Sequence, residues 1–280
     1  MTVKIVTDSV SDLPPQVVKE LGITVVPLNV RFGTEVYRDG IDLTTEQFYH
    51  RLEYDKTLPV TSVPAPATFA EAYDKLAEET DEILAIILTS KLSATYEVAV
   101  QSIGLMKRKC QRIEVVDSQW AIMAQGFIVI TAARAAQAGA SFDEVKAITH
   151  RNMKRVDMRA AFDTLEYLRR GGRIGAAQAF LGSVLKINPI ITMKDGVVQP
   201  AGKERSRAKV IDYLYNFATS YSHIEEIAIE DATTPDEAEM LAERLSSRLP
   251  KERIFRSKTS PVIGTHTGPH ILIVSVLGDK

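Results

Sequence analysis

The chain of 280 residues contains one cysteine, Cys110, so no disulfide can close within it and no thiolate cluster can hold a metal. It also lacks an excess of either charge: 34 Lys and Arg stand against 36 Asp and Glu, a formal net charge of -2 with no block of one sign. Such a balance gives no global field for nucleic acid, and no nucleic-acid partner is expected. Nothing at Met1-Thr2-Val3-Lys4 resembles a signal peptide. With the lone cysteine, this makes a cytoplasmic location the expectation. Long apolar runs are missing too. The most lipid-like stretch, residues 120–138, is interrupted by Gln125, Gly126 and Arg134, and reads as a helix packed inside the protein, not a membrane span.

Familiar catalytic signatures are also absent. Residues 196–203 resemble a phosphate loop only superficially, because five residues separate Gly196 from Gly202 and Glu204 follows Lys203 where a magnesium-binding hydroxyl belongs. No Gly-x-Gly-x-x-Gly follows the first apolar run, which leaves no support for a dinucleotide cofactor. No Gly-x-Ser-x-Gly elbow occurs, and Ser206-Arg207-Ala208-Lys209 stands without its companion motifs. His266 and His270 have the spacing of a helical metal pair, but Gly268-Pro269 lies between them and no carboxylate or cysteine adjoins. Neither a metal nor a cofactor is expected.

What the chain has is a hydrophobic content of 45%, enough for a sizeable core and two domains. Val3–Val6, residues 23–30, 83–88 and 113–116 are short, Val- and Ile-rich runs, apolar on both faces as strands of a covered parallel sheet should be. Capping boxes at Thr44, Thr68 and Ser141 open helices between or after them. Strand-helix alternation over residues 1–155 predicts a Rossmann-like α/β domain. From 156 to 280 the rhythm changes. Strands over 158–162, 190–193, 224–229, 253–257 and 271–277, with a helix from Thr234-Pro235 to Leu249, predict an α+β domain.

Ligands of open parallel sheets bind beyond the carboxyl ends of the strands, where this chain places Thr7-Asp8-Ser9, Thr89 to Thr95, and Asp117-Ser118. Each turn alone is explained by capping; their convergence on one edge points to a small polar site. Ser93 stands out, because a helix over 94–106 would turn its free amides and dipole toward an anion there. Residues 59–66, with three prolines, predict a rigid loop displaying Thr61 and Ser62. Leu168 to Gly175 combines three arginines with three glycines, suited to anion contact but equally to an ordinary helix end. Gly264-Thr265-His266-Thr267-Gly268-Pro269-His270 reads as a turn or a binding loop before the last strand.

Taken in order, Ile5-Val6-Thr7-Asp8-Ser9, Thr61-Ser62-Val63-Pro64, Leu92-Ser93-Ala94-Thr95-Tyr96, Val116-Asp117-Ser118, Tyr167 to Ile174 and Gly264 to Pro269 resemble the DegV family. The resemblance implies a non-catalytic carrier that binds a long-chain fatty acid between the two domains and presents it to a separate fatty acid kinase. That kinase makes acyl phosphate for phospholipid synthesis, and transient membrane contact serves lipid exchange. It also implies that Thr61, Ser93 and His266 bind the carboxylate, with Arg170 as the positive partner and Thr265 in the same loop. Arg173, Lys203 and Arg205 are candidates for meeting an acidic surface of the kinase. The alternative is an enzyme, a hydrolase or phosphotransferase acting on an anionic small molecule through Ser93 or His266. His270, Ala94 and the bulky Trp120, Met123 and Phe127 depart from the family pattern, so chain length and unsaturation are not implied.

Overall fold

In the computed structural model, residues 2–181 and 187–280 are described. The first half carries strands β1 (Lys4–Asp8), β2 (Thr24–Val26), β3 (Asn29–Phe32), β4 (Glu35–Arg38), β5 (Val60–Ser62), β6 (Glu82–Ile87) and β7 (Arg112–Asp117). β2, β1, β6 and β7 form a parallel sheet in that order. Around them lie α1 (Pro15–Leu21), α2 (Thr45–Tyr54), α3 (Pro66–Leu76), α4 (Thr95–Ser102), α5 (Ile122–Gln137) and α6 (Phe142–Met153). β1 connects outward to β2 on one side and pairs with β6 on the other, so the crevice of this sheet opens between the carboxyl ends of β1 and β6.

The capping boxes at Thr44 and Ser141 form as the sequence predicts. Thr68 caps nothing: it lies inside α3, which starts earlier because Pro66 takes the first turn, where no amide donor is needed. The expected strand over 23–30 is two strands. It breaks at Pro27 and Leu28, and β3 leaves the parallel sheet to pair antiparallel with β4 and β5. Val60–Ser62, expected in an irregular loop, is the edge strand β5; the prolines at 59, 64 and 66 lie outside its three pairs with β3, so none removes a ladder donor.

The second half contains β8 (Val156–Ala161), β9 (Asn188–Lys194), β10 (Val197–Glu204), β11 (His223–Asp231), β12 (Ile254–Lys258) and β13 (Leu272–Asp279), in the sheet order β10-β9-β8-β13-β11-β12. Its helices are α7 (Glu166–Arg170), α8 (Arg207–Thr219), α9 (Pro235–Leu245) and α10 (Pro261–Thr267). β10 has no periodic signal because Pro200 and Gly202 interrupt it; it tolerates both as an edge strand with a register shift between them. α9 stops at Leu245, short of the expected Leu249. Residues 264–267, expected in a loop, belong to α10, whose start at Ser260-Pro261 is the usual proline-first helix signal.

α8 and α9 cover one face of the second sheet, packing Val210, Leu214, Leu241 and Leu245 on Ile227, Ile229, Val274 and Val276. The other face, with Met158, Ala160, Ile191 and Ile273, shares a continuous core with β1, β6 and α5. The interior helix expected within 120–138 is α5, buried between the two sheets.

Candidate functional site

Where the carboxyl edge of the parallel sheet meets the inner face of the second sheet, the packing leaves a cavity. Leu28, Leu88, Met158, Ala160, Ile191 and Ile273 are among its apolar walls, whereas Thr61, Ser93, Arg173, His266 and Thr267 supply its polar groups. Both halves of the chain therefore build it.

Thr61 is the middle residue of β5, and its hydroxyl lies 2.9 Å from His266 Nε2, which binds the three-stranded sheet to α10. His266 reaches that position because α7 approaches closely. A Cβ on Gly171 would lie 2.2 Å from His266 Nδ1, so only glycine leaves room for the ring. Burial, assisted by the charge of Arg173, pushes the imidazole pKa down to about 4 and leaves the ring neutral at neutral pH.

The helix end at α7 explains the position of that arginine. Gly172 takes φ +70°, its amide donates to the Arg169 carbonyl, and the Arg173 amide returns to the Leu168 carbonyl at 2.9 Å. This paired closure turns the chain back over the last helical turn. Arg173 then points inward, its Nε donating to the Leu92 carbonyl at 3.0 Å and its Nη1 to the Gly171 carbonyl at 2.6 Å. Ser93 lies two residues before the start of α4, where its hydroxyl accepts from the Thr95 amide at 3.3 Å and lies 2.8 Å from the Thr95 hydroxyl. It thus tethers the first turn of α4 and also lines the cavity.

Of the residues expected at a carboxylate, Thr61, Ser93 and His266 come together here. Arg170 does not join them: it is exposed on the outer side of α7, with Nε 2.9 Å from Glu166 Oε1. The cavity's guanidinium is that of Arg173, which the sequence reading placed at a partner surface. Lys203 and Arg205 are exposed. Thr265 is buried in α10, with its hydroxyl donating to the Pro261 carbonyl at 2.9 Å, while Thr267 borders the cavity. The Schellman signature in Arg169-Arg170-Gly171-Gly172-Arg173 was the available signal for the inward arginine, because the residue after a left-handed glycine returns over the helix.

The other hydroxyl-rich turns serve the fold. Asp8, fully buried, accepts from the amides of Val10 at 3.0 Å and Leu88 at 2.7 Å, joining the ends of β1 and β6. Asp117 accepts from the amides of Ser90 and Gln119. Ser93 and His266 have separate partners, Thr95 and Thr61, and no hydrogen bond joins them among the described residues. Among the described residues, no cluster of three or more His, Cys, Asp or Glu could hold a metal, and no helix is long and apolar enough to cross a membrane.

The sequence model of the family described as "Uncharacterised protein, DegV family" matches residues 2–279. A DegV domain-containing protein of Caldanaerobacter subterraneus subsp. tengcongensis is 37% identical over 274 residues, covering 95% of this chain and 95% of that protein. The structure of a fatty-acid-binding DegV family protein from Thermus thermophilus is similar with a TM-score of 0.90 at 33% identity, covering 99% of this chain and 100% of that one. DegV of Bacillus subtilis, a fatty acid binding protein, gives a TM-score of 0.88 at 31% identity over 99% of each chain.

Proposed function

The chain belongs to the DegV family, and from that premise we propose that it is a cytoplasmic carrier that binds one long-chain fatty acid and presents it to a separate fatty acid kinase. The carboxylate lies toward Thr61, Ser93 and His266, with Arg173 as its charged partner, and the alkyl chain fills the apolar remainder of the cavity. The observation that carries this reading is the composition of the cavity, apolar along its walls, with three hydroxyls, an imidazole and a guanidinium as its polar side chains.

An amphiphile with one anionic end suits such a surface. Burying a bare carboxylate is strongly unfavourable, so it needs donors and a cation, whereas the chain needs only apolar contact. About fourteen methylenes at ~0.8 kcal/mol each supply ~11 kcal/mol gross, enough for tight retention after the costs of association. No cofactor is required for that role, and transient contact with a membrane supplies the route for exchange. Acyl phosphate formation belongs to the kinase subunit.

Mass spectrometry of small molecules released from freshly purified protein tests the reading. One fatty acid per chain is expected, with acyl phosphate formed from ATP only when a kinase subunit is added. A bound nucleotide, an empty protein that takes up no fatty acid, or ATP consumption by the purified chain alone would overturn it.

A further inference from the structure

Asp12, in the turn after β1, Asp39, just past β4, and Glu230, near the end of β11, are buried where the two halves of the chain meet. Each faces the opposite half. The amide of Ser260, just before α10, donates to Asp12 Oδ1 at 3.3 Å, and the Ser257 hydroxyl to the Asp12 carbonyl at 2.6 Å. Glu230 reaches the other way: its Oε1 accepts from the Met123 amide of α5 at 3.2 Å. Asp39 faces the Ser9 hydroxyl and the Val262 amide, yet no bond of ordinary length and angle reaches either of its carboxyl oxygens. Asp12 Oδ2 and the Ser260 hydroxyl also lack partners.

No free cation answers these acids among the described residues. Arg256 and Lys258 line the same surface cleft as Asp12 and Asp39, but Lys258 Nζ is bound to Asp231 Oδ2 at 2.5 Å and Arg256 to Glu239 at 2.8 Å. The other ionisable neighbours are Tyr49, whose hydroxyl lies 2.5 Å from that of Thr259, and Asp8, which is bonded to amides inside the first half. Closing the halves therefore takes the three carboxyls out of water with only like charge for company, which favours their protonated form. Burial raises Asp39 to about 7 and Glu230 to about 8, and burial with the charge of Glu230 raises Asp12 as well.

The same contacts hold the cavity together. Val10 shares the turn of Asp12, Leu28 accepts the Asp39 amide at 2.9 Å, and Ile122 adjoins Met123; all three line the cavity from the first half. Facing them, Val262 and His266 line it from α10, the helix that starts at Asp12 and Asp39. We propose that Asp12, Asp39 and Glu230 form a proton-operated latch between the halves, closed while the acids hold protons and loosened when they ionise, which gates passage of ligand into and out of the cavity. The proposal rests on the fatty-acid reading for the identity of that ligand. The closed seam binds protons that a hydrated, open seam has released, so closure is favoured at acidic pH and weakens as pH rises through the values of Asp39 and Glu230. His266, lowered to about 4, stays neutral throughout that range.

The test loads wild type, Glu230→Gln and the triple variant Asp12→Asn/Asp39→Asn/Glu230→Gln with hexadecanoic acid. Transfer to excess serum albumin is timed at pH 6.5 and 8.5. Hydrogen exchange of residues 260–267 is measured on the empty proteins, corrected for the pH dependence of intrinsic exchange. Wild-type release should quicken about tenfold to a hundredfold between the two pH values, with exchange in α10 rising in parallel. The triple variant, whose amides cannot ionise, should change by less than about threefold, and Glu230→Gln should keep only part of the wild-type rise. Wild-type release within about twofold at the two pH values, or a triple variant as steep as wild type, overturns the latch and leaves fatty-acid binding intact. A wild type that takes up no hexadecanoic acid overturns the fatty-acid reading instead, and exchange in α10 then decides the latch. Should the triple variant be unfolded, Glu230→Gln decides: a rise equal to that of wild type refutes the proposal.

Discussion

A single methyl group at Gly171 should separate the binding site from the stability of the fold. The backbone there is helical, φ −73° and ψ −8°, so alanine meets no conformational obstacle. Its Cβ, however, would lie 2.2 Å from His266 Nδ1 and 2.9 Å from Cε1. Ordinary contact requires the imidazole to retreat by about 1 Å or more. The Thr61–His266 contact, 2.9 Å in the structure, would then lie beyond hydrogen-bonding range if the ring withdraws from Thr61 as well. A donor lost from a charged carboxylate is worth about 1.5 to 3 kcal/mol, so fatty acid affinity should fall about tenfold to a hundredfold. Stability should change little, because alanine lowers the entropy of the unfolded chain by the equivalent of about 0.4 to 1 kcal/mol, offsetting part of the displacement. Gly172→Ala is the converse control: an added Cβ meets nothing within 4 Å, but φ is +70°. That variant should lose about 1 to 2 kcal/mol of stability and keep its affinity. Displacement of a fluorescent fatty acid, with thermal melting of the same samples, reads both quantities. Wild-type affinity in Gly171→Ala would refute the proposed role of the imidazole.

Ser93→Ala and Thr61→Val should each weaken fatty acid binding about tenfold to a hundredfold, whereas a purely helix-capping Ser93 would cost about 1 kcal/mol of stability and leave affinity unchanged. Direct titration of fatty acid into the two proteins decides between them. Arg173→Ala should weaken binding by at least about tenfold, and Arg170→Ala by less than about twofold, since an exposed ion pair contributes little; equal losses in the same titration would contradict the placement of the two guanidinium groups. Stability should fall as pH rises from 6.5 to 8.5. Burial raises the carboxyls of Asp8, Asp39 and Glu230 to about 6, 7 and 8, so the folded state holds protons that the unfolded chain has released, and this advantage disappears as pH passes those values. His266, lowered to about 4, acts in the opposite direction only at more acidic pH. Melting temperatures that are flat or rising across this range would contradict the protonated state of the buried acids.

The parallel sheet was legible because its strands are short, branched and apolar on both faces, as in Leu84 to Ile87, and because Thr44 and Ser141 announce helices through a local pattern. β4 and β10 were not legible. The former is an exposed edge with no apolar face, and the latter carries Pro200 and Gly202, which only an edge position with a shifted register tolerates. The site divides along the same line. Ser93 follows from its position after a parallel strand and before a helix. Thr61 and His266 are separated by 205 residues and meet only through the packing of β5 against α10, so no local pattern joins them. Arg170 and Arg173 differ in nothing but which side of two glycines they occupy.

That difference decides the electrostatics of the cavity. On the outer face of α7, Arg170 is matched by Glu166 and surrounded by solvent, which screens its charge. Past the turn, Arg173 gives two of its nitrogens to the carbonyls of Leu92 and Gly171, dipoles that orient the guanidinium without cancelling its charge. The same charge helps keep His266 neutral. An arriving carboxylate offsets Arg173 and thereby removes part of the penalty on a protonated imidazole, so ligand and proton favour each other at this edge. An ester of the same acid fills the apolar walls equally well but brings no charge to offset. On the proposed fatty-acid reading, discrimination between the two therefore rests on charge, while the apolar walls take up the tail.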